Sequence, residues 1–323
     1  MKKLMHSLTC LTLLAAGTTV CAADAPFPSH PIRMISPYPP GGLTDILCRL
    51  LGLKLTEAWG QQVVVENRTG GAAVIATEIV AKAAPDGHTL GMLLSNHAVN
   101  PSIMKELPYD SVNDLIPVSL VALVPGIMMV RPSLPARTVK EVVALAKASP
   151  GALTFASPGA ITSGHLSMEL LNAMTGIDIR HIPYKGGSPA VIDLLGGRVD
   201  MMIASGGSSG PHIKSGKLIA IATTGKERVK AFPSVPTVAE SGIAGYETYE
   251  WYGVFTTGKT PRPVVLKLQE EISRIVKSPA VSERIEEQGA DPVGNTSDQF
   301  AVFVKDEMVK WGKLAKQIGL KAE

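Results

Sequence analysis

The stretch Arg180–Asp200, RHIPYKGGSPAVIDLLGGRVD, decides the fold class. His181–Tyr184 reads as a short strand and Lys185–Ser188 as a glycine-containing loop. Pro189 suits the first turn of a helix, where its missing N–H costs nothing. Ala190, Val191, Leu194 and Leu195 give that helix an apolar side, and Gly196-Gly197 ends it. Val199–Ala204 (VDMMIA) is a nearly continuous apolar run, the pattern of a strand covered on both faces. So compact a strand–helix–strand crossover predicts a parallel sheet with a right-handed connection. Its loop leads into a helix N-terminus, where unpaired N–H groups and the helix dipole favour an anion.

The same device recurs along the chain. Ile32–Ser36 is a strand that runs into the loop Pro37–Gly42. Thr44 or Asp45 can cap the next helix, whose apolar positions Ile46, Leu47, Leu50, Leu51 and Leu55 recur at helical spacing. Val63–Glu66, the loop Asn67–Ala72 and a helix over Ala73–Ala84 repeat the unit, and Leu90–Leu94 is a third strand ending at Ser95-Asn96-His97. Farther on come a helix over Val139–Ala148, a strand at Leu153–Ala156, the loop Ser157–Gly164 and a helix over His165–Met174. The loop Ser205–Gly210 precedes the segment Pro211–Ser215, and Leu218–Thr223 is another buried-type strand. Amphipathic helices over Pro263–Val276 and Asp298–Ile318 close the chain. Repeated β–loop–α units predict doubly wound α/β sheets. Val118–Val130, broken at Pro125-Gly126, and Tyr249–Phe255 are the candidate crossings between two domains.

Met1–Ala23 reads as a secretory signal, with Lys2 and Lys3 ahead of the apolar run Leu8–Val20 and small residues near Ala22. Cys21 raises a lipoprotein alternative, for which Thr18-Thr19-Val20 is a poor lead-in. Removing the leader leaves Cys48 as the sole cysteine of three, so no intramolecular disulfide can form. It also leaves 29 of the 31 Lys and Arg against 28 Asp and Glu, a near-neutral chain with no basic stripe. Nucleic acid is therefore not an expected partner.

Motifs for chemistry are sparse. Gly206-Gly207-Ser208-Ser209-Gly210 matches the G-x-S-x-G of a hydrolase elbow, yet no histidine follows His212 to complete a triad. No Walker A or G-x-G-x-x-G run is present, and His88, His97, His165, His181 and His212 show no metal-ligand spacing. Tyr249, Trp251 and Tyr252 can line a pocket or fill the core between domains. The Gly-, Ser-, Thr- and Asn-rich loops remain, all expected beyond the carboxyl ends of strands, where ligands of open parallel sheets sit. Nearly lacking acids and activated nucleophiles, they point to capture of a small anion without transformation. No cofactor, metal ligand or catalytic residue is assigned.

Several of these segments also form a familiar set: Tyr38-Pro-Pro-Gly-Gly-Leu-Thr-Asp45, Val65-Glu-Asn-Arg68, Pro85-Asp-Gly-His-Thr-Leu90 and Leu107-Pro-Tyr-Asp110. His181-Ile-Pro-Tyr-Lys-Gly-Gly187, Asp193-Leu-Leu-Gly-Gly197, Pro236-Thr237 and Glu240-Ser-Gly242 complete it. In this order the chain, from about Pro28 onward, resembles the Bug/TctC extracytoplasmic solute receptors, the binding components of tripartite tricarboxylate transporters. The resemblance implies a type II periplasmic-binding-protein-like fold, with two doubly wound α/β domains closing on a ligand cleft. Its expected division is 24–122 for the first part of domain 1, 123–247 for domain 2, and 248–323 for the return to domain 1. It implies a periplasmic receptor that holds a small carboxylate through the first loop and the serine/threonine loop. The candidate ligand-binding residues are Tyr38, Gly41, Gly42, Leu43, Thr44 and Asp45 on one lip, with Ser95 and Asn96. Ser157, Ile161, Thr162, Ser163 and His165, then Tyr184, Gly186, Ala204 and Ser205, come from the other side. Small and large membrane subunits are the implied partners; the alternative is a sensor kinase, with no transport.

Three positions depart from the family pattern. The usual Gly-Ala-Gly-Gly reads Thr69-Gly70-Gly71-Ala72-Ala73, the Gly-x-Gly of the serine/threonine loop reads Gly159-Ala160-Ile161, and Ala204-Ser205 replaces a frequent Asp. An apolar Ile161 and a missing acid argue for a plain or aromatic mono- or dicarboxylate over an amino acid, whose ammonium wants a carboxylate partner.

Overall fold

The computed structural model describes residues 27–321; the expected leader Met1–Ala23 lies outside them. The first run of elements is β1 (Ile32–Ser36), α1 (Leu43–Trp59), β2 (Val63–Asn67), α2 (Val74–Ala81), β3 (Thr89–Leu94), α3 (Asn96–Ile103) and β4 (Leu115–Val130). Then follow α4 (Val139–Ala148), β5 (Thr154–Ser157), α5 (Ser163–Thr175), β6 (Arg180–Pro183), α6 (Gly187–Leu195), β7 (Met201–Ser205), α7 (Gly206–Lys214) and β8 (Ile219–Thr223). The chain returns through β9 (Tyr249–Thr257), α8 (Arg262–Val276), α9 (Pro279–Glu286), β10 (Asp291–Pro292) and α10 (Ser297–Ile318).

One long strand ties the molecule together. Leu115–Pro125 of β4 register with β9, whereas Gly126–Val130 register with β7 on one side, and Ile127–Val130 with β8 on the other. The strand order is β2-β1-β3-β9-β4-β7-β5-β6, with β8 and β10 also pairing β4. The change of partner falls at Pro125-Gly126 for steric reasons. A Cβ on Gly126 would lie 2.5 Å from Ile203 Cγ2, so only glycine lets β7 come alongside. The Gly126 N–H, freed from the first sheet, donates to Thr224 Oγ1 at 2.8 Å.

Alternating strand residues feed helices on both faces. Met34 and Met92 pack with Leu47, Leu51, Leu268 and Ile272 of α1 and α8, while Ile35 and Leu93 face α2, α3 and α10. In the second half, Met128 and Val130 pack against α4 and α5, and Met129 meets Ala190 and Leu194 of α6. This is the doubly wound α/β architecture the residues predict. No helix among the described residues is long and apolar enough to cross a membrane.

Several local readings are corrected. The β6–α6–β7 crossover is parallel, but β5 lies between its two strands, and β9 and β4 run antiparallel to their neighbours. Helix α1 starts at Leu43 with Gly42 as N-cap, so Thr44 and Asp45 are inside the first turn and do not cap it. Ser95-Asn96-His97 is the start of α3, and Gly206–Gly210 is the start of α7; neither is a loop. Helix α2 starts at Val74, because Ala72 and Ala73 take left-handed backbone ahead of it, and it ends at Ala81, three residues before the expected end.

Candidate ligand cleft

A cleft of about 540 Å³ opens where β1 and β3 end. Because β9 is antiparallel to β3, with Leu94 opposite Tyr252, the amino end of β9 also arrives here. The lining comes from the first lip (Tyr38, Pro39, Pro40, Gly42, Thr44), from Ala72, Leu94, Ser95 and Asn96, from the second lip (Ala160–Ser163), and from Glu250 and Tyr252.

The first lip is held by a carboxylate that does not itself line the cleft. Asp45, only 4% exposed, accepts from the Gly41 N–H at 3.1 Å, Arg49 Nε at 2.9 Å and Asn67 Nδ2 at 2.9 Å. Asn67 Nδ2 also reaches the Tyr38 carbonyl at 2.9 Å. The Arg49 guanidinium, helped by Asn67 and Gly41, holds the Asp45 carboxyl below its ordinary value against the opposing effect of burial. Asn96 Nδ2 donates to the Ala72 carbonyl at 2.6 Å, while its Oδ1 is buried without a partner.

The second lip is held by neutral hydrogen bonds and a strained backbone. Ile161 sits at φ 65°, a left-handed conformation that a β-branched residue adopts only under compulsion. Its N–H donates to His165 Nδ1 at 3.1 Å, and Thr162 Oγ1 donates to the Gly159 carbonyl at 2.8 Å. Behind them Ser157 Oγ lies 2.6 Å from His181 Nε2, and His181 stacks on His165 at 3.9 Å between ring centroids. Burial, reinforced by His165, pushes the His181 imidazole down to about 4. The lip sits close to β7, since a Cβ on Gly164 would lie 2.4 Å from the Ile203 carbonyl oxygen.

Helices α1 and α5 begin at this cleft, and neither N-cap, Gly42 nor Thr162, makes a side-chain capping bond. First-turn N–H groups at both ends are thus available to an anion. Among the described lining residues none is lysine, arginine or histidine. Glu250 is the one carboxyl there: Ser95 Oγ donates to its Oε1 at 2.6 Å. Burial raises its affinity for a proton, against the hydroxyls of Ser95 and Ser163.

The sequence-derived candidates thus separate. Tyr38, Gly42, Thr44, Ser95, Asn96, Ile161, Thr162 and Ser163 line the cleft. Gly41, Leu43, Asp45, Ser157 and His165 stand behind its lips. Tyr184 donates to Asp193 Oδ2 at 2.8 Å and Gly186 caps α6, both away from the lining. Ala204 and Ser205 border a smaller cavity of about 40 Å³ that shares Ser163 and Glu250 with the cleft. The aromatic trio divides too: Tyr252 lines the cleft, Trp251 is core, and Tyr249 lines the smaller cavity. Glu250 escaped the sequence reading because the amino end of β9 carries no loop signature. The side chain of Ser208 lies outside the described residues.

One group of metal-ligand type is present among the described residues. His30, Asp86 and His88 lie at the amino ends of β1 and β3, opposite the cleft. The two imidazoles stack at 3.6 Å and 19°, so their in-plane lone pairs run side by side instead of converging. The Ser29 N–H already donates to His88 Nε2. That arrangement suits ring stacking better than a metal ion.

Comparison with known proteins agrees with this architecture. The sequence profile of the tripartite tricarboxylate transporter family receptor, TctC, matches residues 47–320. BugT of Bordetella pertussis is 39% identical over 311 residues, covering 96% of this chain and 95% of BugT. The structure of R. palustris Rpa4515 with adipate superposes with a TM-score of 0.77 at 33% identity, over 91% of this chain and 99% of that one. MatC from Rhodopseudomonas palustris with bound malate gives 0.72 at 29%, over 89% and 99%. The chain belongs to the TctC family of tripartite tricarboxylate transporter receptors, the group that includes the Bug proteins.

Proposed function

We propose that the protein is a periplasmic solute receptor that captures a small carboxylate in this cleft and delivers it to the membrane subunits of a tripartite transporter. The observation that carries the reading is the meeting of two uncapped helix N-termini, α1 and α5, at one cleft with no lysine or arginine among the described lining residues. Such a site solvates an anion with backbone N–H groups and hydroxyls. Leu94, Ile161 and Tyr252 supply apolar wall for a hydrocarbon or ring body. The adipate and malate held by the two structural relatives support the carboxylate class.

Residues 24–122 and 248–323 would form one domain and 123–247 the other, with β4 and β9 as the crossings. Ligand drives closure only if it binds the closed form better than the open one. The N-terminal leader, a periplasmic location and the membrane partners belong to the same proposal.

The test is a melting screen of the chain from Asp24 onward, refolded to strip ligand, against adipate, malate, citrate, benzoate, aspartate and glutamate. A carboxylate at 100 times its Kd stabilises the native state by about 2.7 kcal/mol, a shift on the order of 5 °C. A rise confined to one carboxylate class supports the reading and names the cargo. A flat panel overturns the small-carboxylate assignment, and stoichiometric aspartate binding overturns the preference against amino acids.

A further inference from the structure

We infer that the cleft takes up its carboxylate together with a proton, held on Glu250. This rests on the carboxylate reading above and adds what that reading does not contain, a residue that makes capture depend on pH.

Glu250 borders both the main cleft and the smaller cavity behind it. Ser95 Oγ engages Oε1 at 2.6 Å, and Ser163 also lies within hydrogen-bonding reach of the carboxyl. Among the described residues, the other titratable groups around it give no counter-ion. Tyr38 on the first lip and Tyr252 on β9 are phenols, and burial pushes Tyr38 up to about 12. Glu307 on α10 adds negative charge, although it is engaged by Trp311 Nε1 and Lys310. On α3, His97 packs edge-on against Phe255 and burial holds it down to about 4. On α5, His165 pairs with Glu169 and stacks on His181. From β4, Val124 faces Glu250 in register and is uncharged.

An ionised Glu250 would therefore meet an incoming carboxylate with like charge in a partly desolvated site. A proton from solvent resolves this. It bonds to the Glu250 oxygen that Ser95 does not engage and leaves an O–H that donates to a ligand carboxylate oxygen. No other bond forms or breaks. Burial already favours that protonated form.

The experiment is titration calorimetry of the stripped protein with adipate, malate and benzoate between pH 5 and 9, in buffers of different ionisation enthalpy. For any of the three that binds, affinity should fall towards tenfold per pH unit above the Glu250 midpoint, with up to one proton taken up there. Glu250→Gln, which cannot ionise, should bind with flat affinity and exceed wild type by tenfold or more at pH 9. Ser95→Ala removes a hydroxyl that favours the carboxylate form and should move the break to higher pH. Wild-type affinity that is flat to pH 9, or a Glu250→Gln protein that melts normally and binds more weakly at every pH, overturns the inference and leaves the receptor reading standing. Binding of none of the three at any pH, together with a flat melting panel, overturns both.

Discussion

The two lips of the cleft do the same task with opposite chemistry. The first is locked by charge: Asp45 gathers Gly41, Arg49 and Asn67 around one carboxylate. The second has no carboxylate at its centre: the Ile161 N–H donates to His165, whose ring stacks on His181 with Glu169 behind it, and the isoleucine is left-handed. A charge lock tolerates a loop rich in proline and glycine, since the carboxylate supplies the rigidity. The second lip stores backbone strain and depends on His181 remaining uncharged. The difference predicts that the lips fail under different conditions.

Asp45→Ala should have the largest effect. It strips partners from Arg49, Asn67 and the Gly41 N–H together, costing on the order of 2–3 kcal/mol and abolishing carboxylate binding. Chemical denaturation and the melting screen read both. If the variant binds at wild-type affinity, the first lip does not depend on its charge lock.

Acid should separate the lips next. His181 binds a proton near 6.5 when unfolded but only near 4 when folded, so its contribution to stability is lost as pH falls from about 6.5 to 4. Asp45, with its folded value depressed, contributes above its unfolded value and loses that contribution only below about pH 3.8. Melting temperature against pH should therefore decline first through the histidine window. His181→Gln keeps a polar partner for Ser157 and should flatten part of that decline, with His97 and His88, both also lowered by burial, contributing to the rest. An unchanged profile would remove His181 from the acid response.

His165→Ala should cost about 1–2 kcal/mol by leaving the Ile161 N–H without its acceptor. It should weaken ligand binding more than Leu171→Ala, a core truncation elsewhere on α5, does at equal stability. Ile161→Gly should have the smallest net effect on stability, within about 1 kcal/mol, because relief of left-handed strain offsets lost packing. It should still narrow the affinity ratio of adipate to malate, by removing apolar wall. A large loss of stability would mean that Ile161 is held by packing, not strained by the loop.

Much of this molecule was legible from local pattern. The apolar runs at Ile32–Ser36, Leu90–Leu94 and Val199–Ala204 read as strands and form β1, β3 and β7, and the Gly-rich loop behind the first is the first lip of the cleft. Pro125-Gly126 was readable as a crossing, because a proline–glycine break inside an apolar run marks a change of partner. The candidate residues divide between those that line the cleft and those that stand behind it. Asp45 and His165 share sequence neighbourhoods with cleft residues, but hydrogen bonding turns their side chains to loop support. Glu250 gave no local signal, because nothing nearby in sequence says that the amino end of β9 meets the carboxyl end of β3.

The sequence by itself determined the α/β class, the family and the two loops that form the lips of the cleft, since periodicity, turn chemistry and motif order are local properties. Tertiary structure alone decided which loop residues face the cleft and which brace it. It also decided that β5 separates β6 from β7, and that an acid shares the cleft with two uncapped helix ends. Those outcomes depend on strand direction and long-range register, which bring residues such as Ser95 and Glu250 into contact although 155 positions separate them.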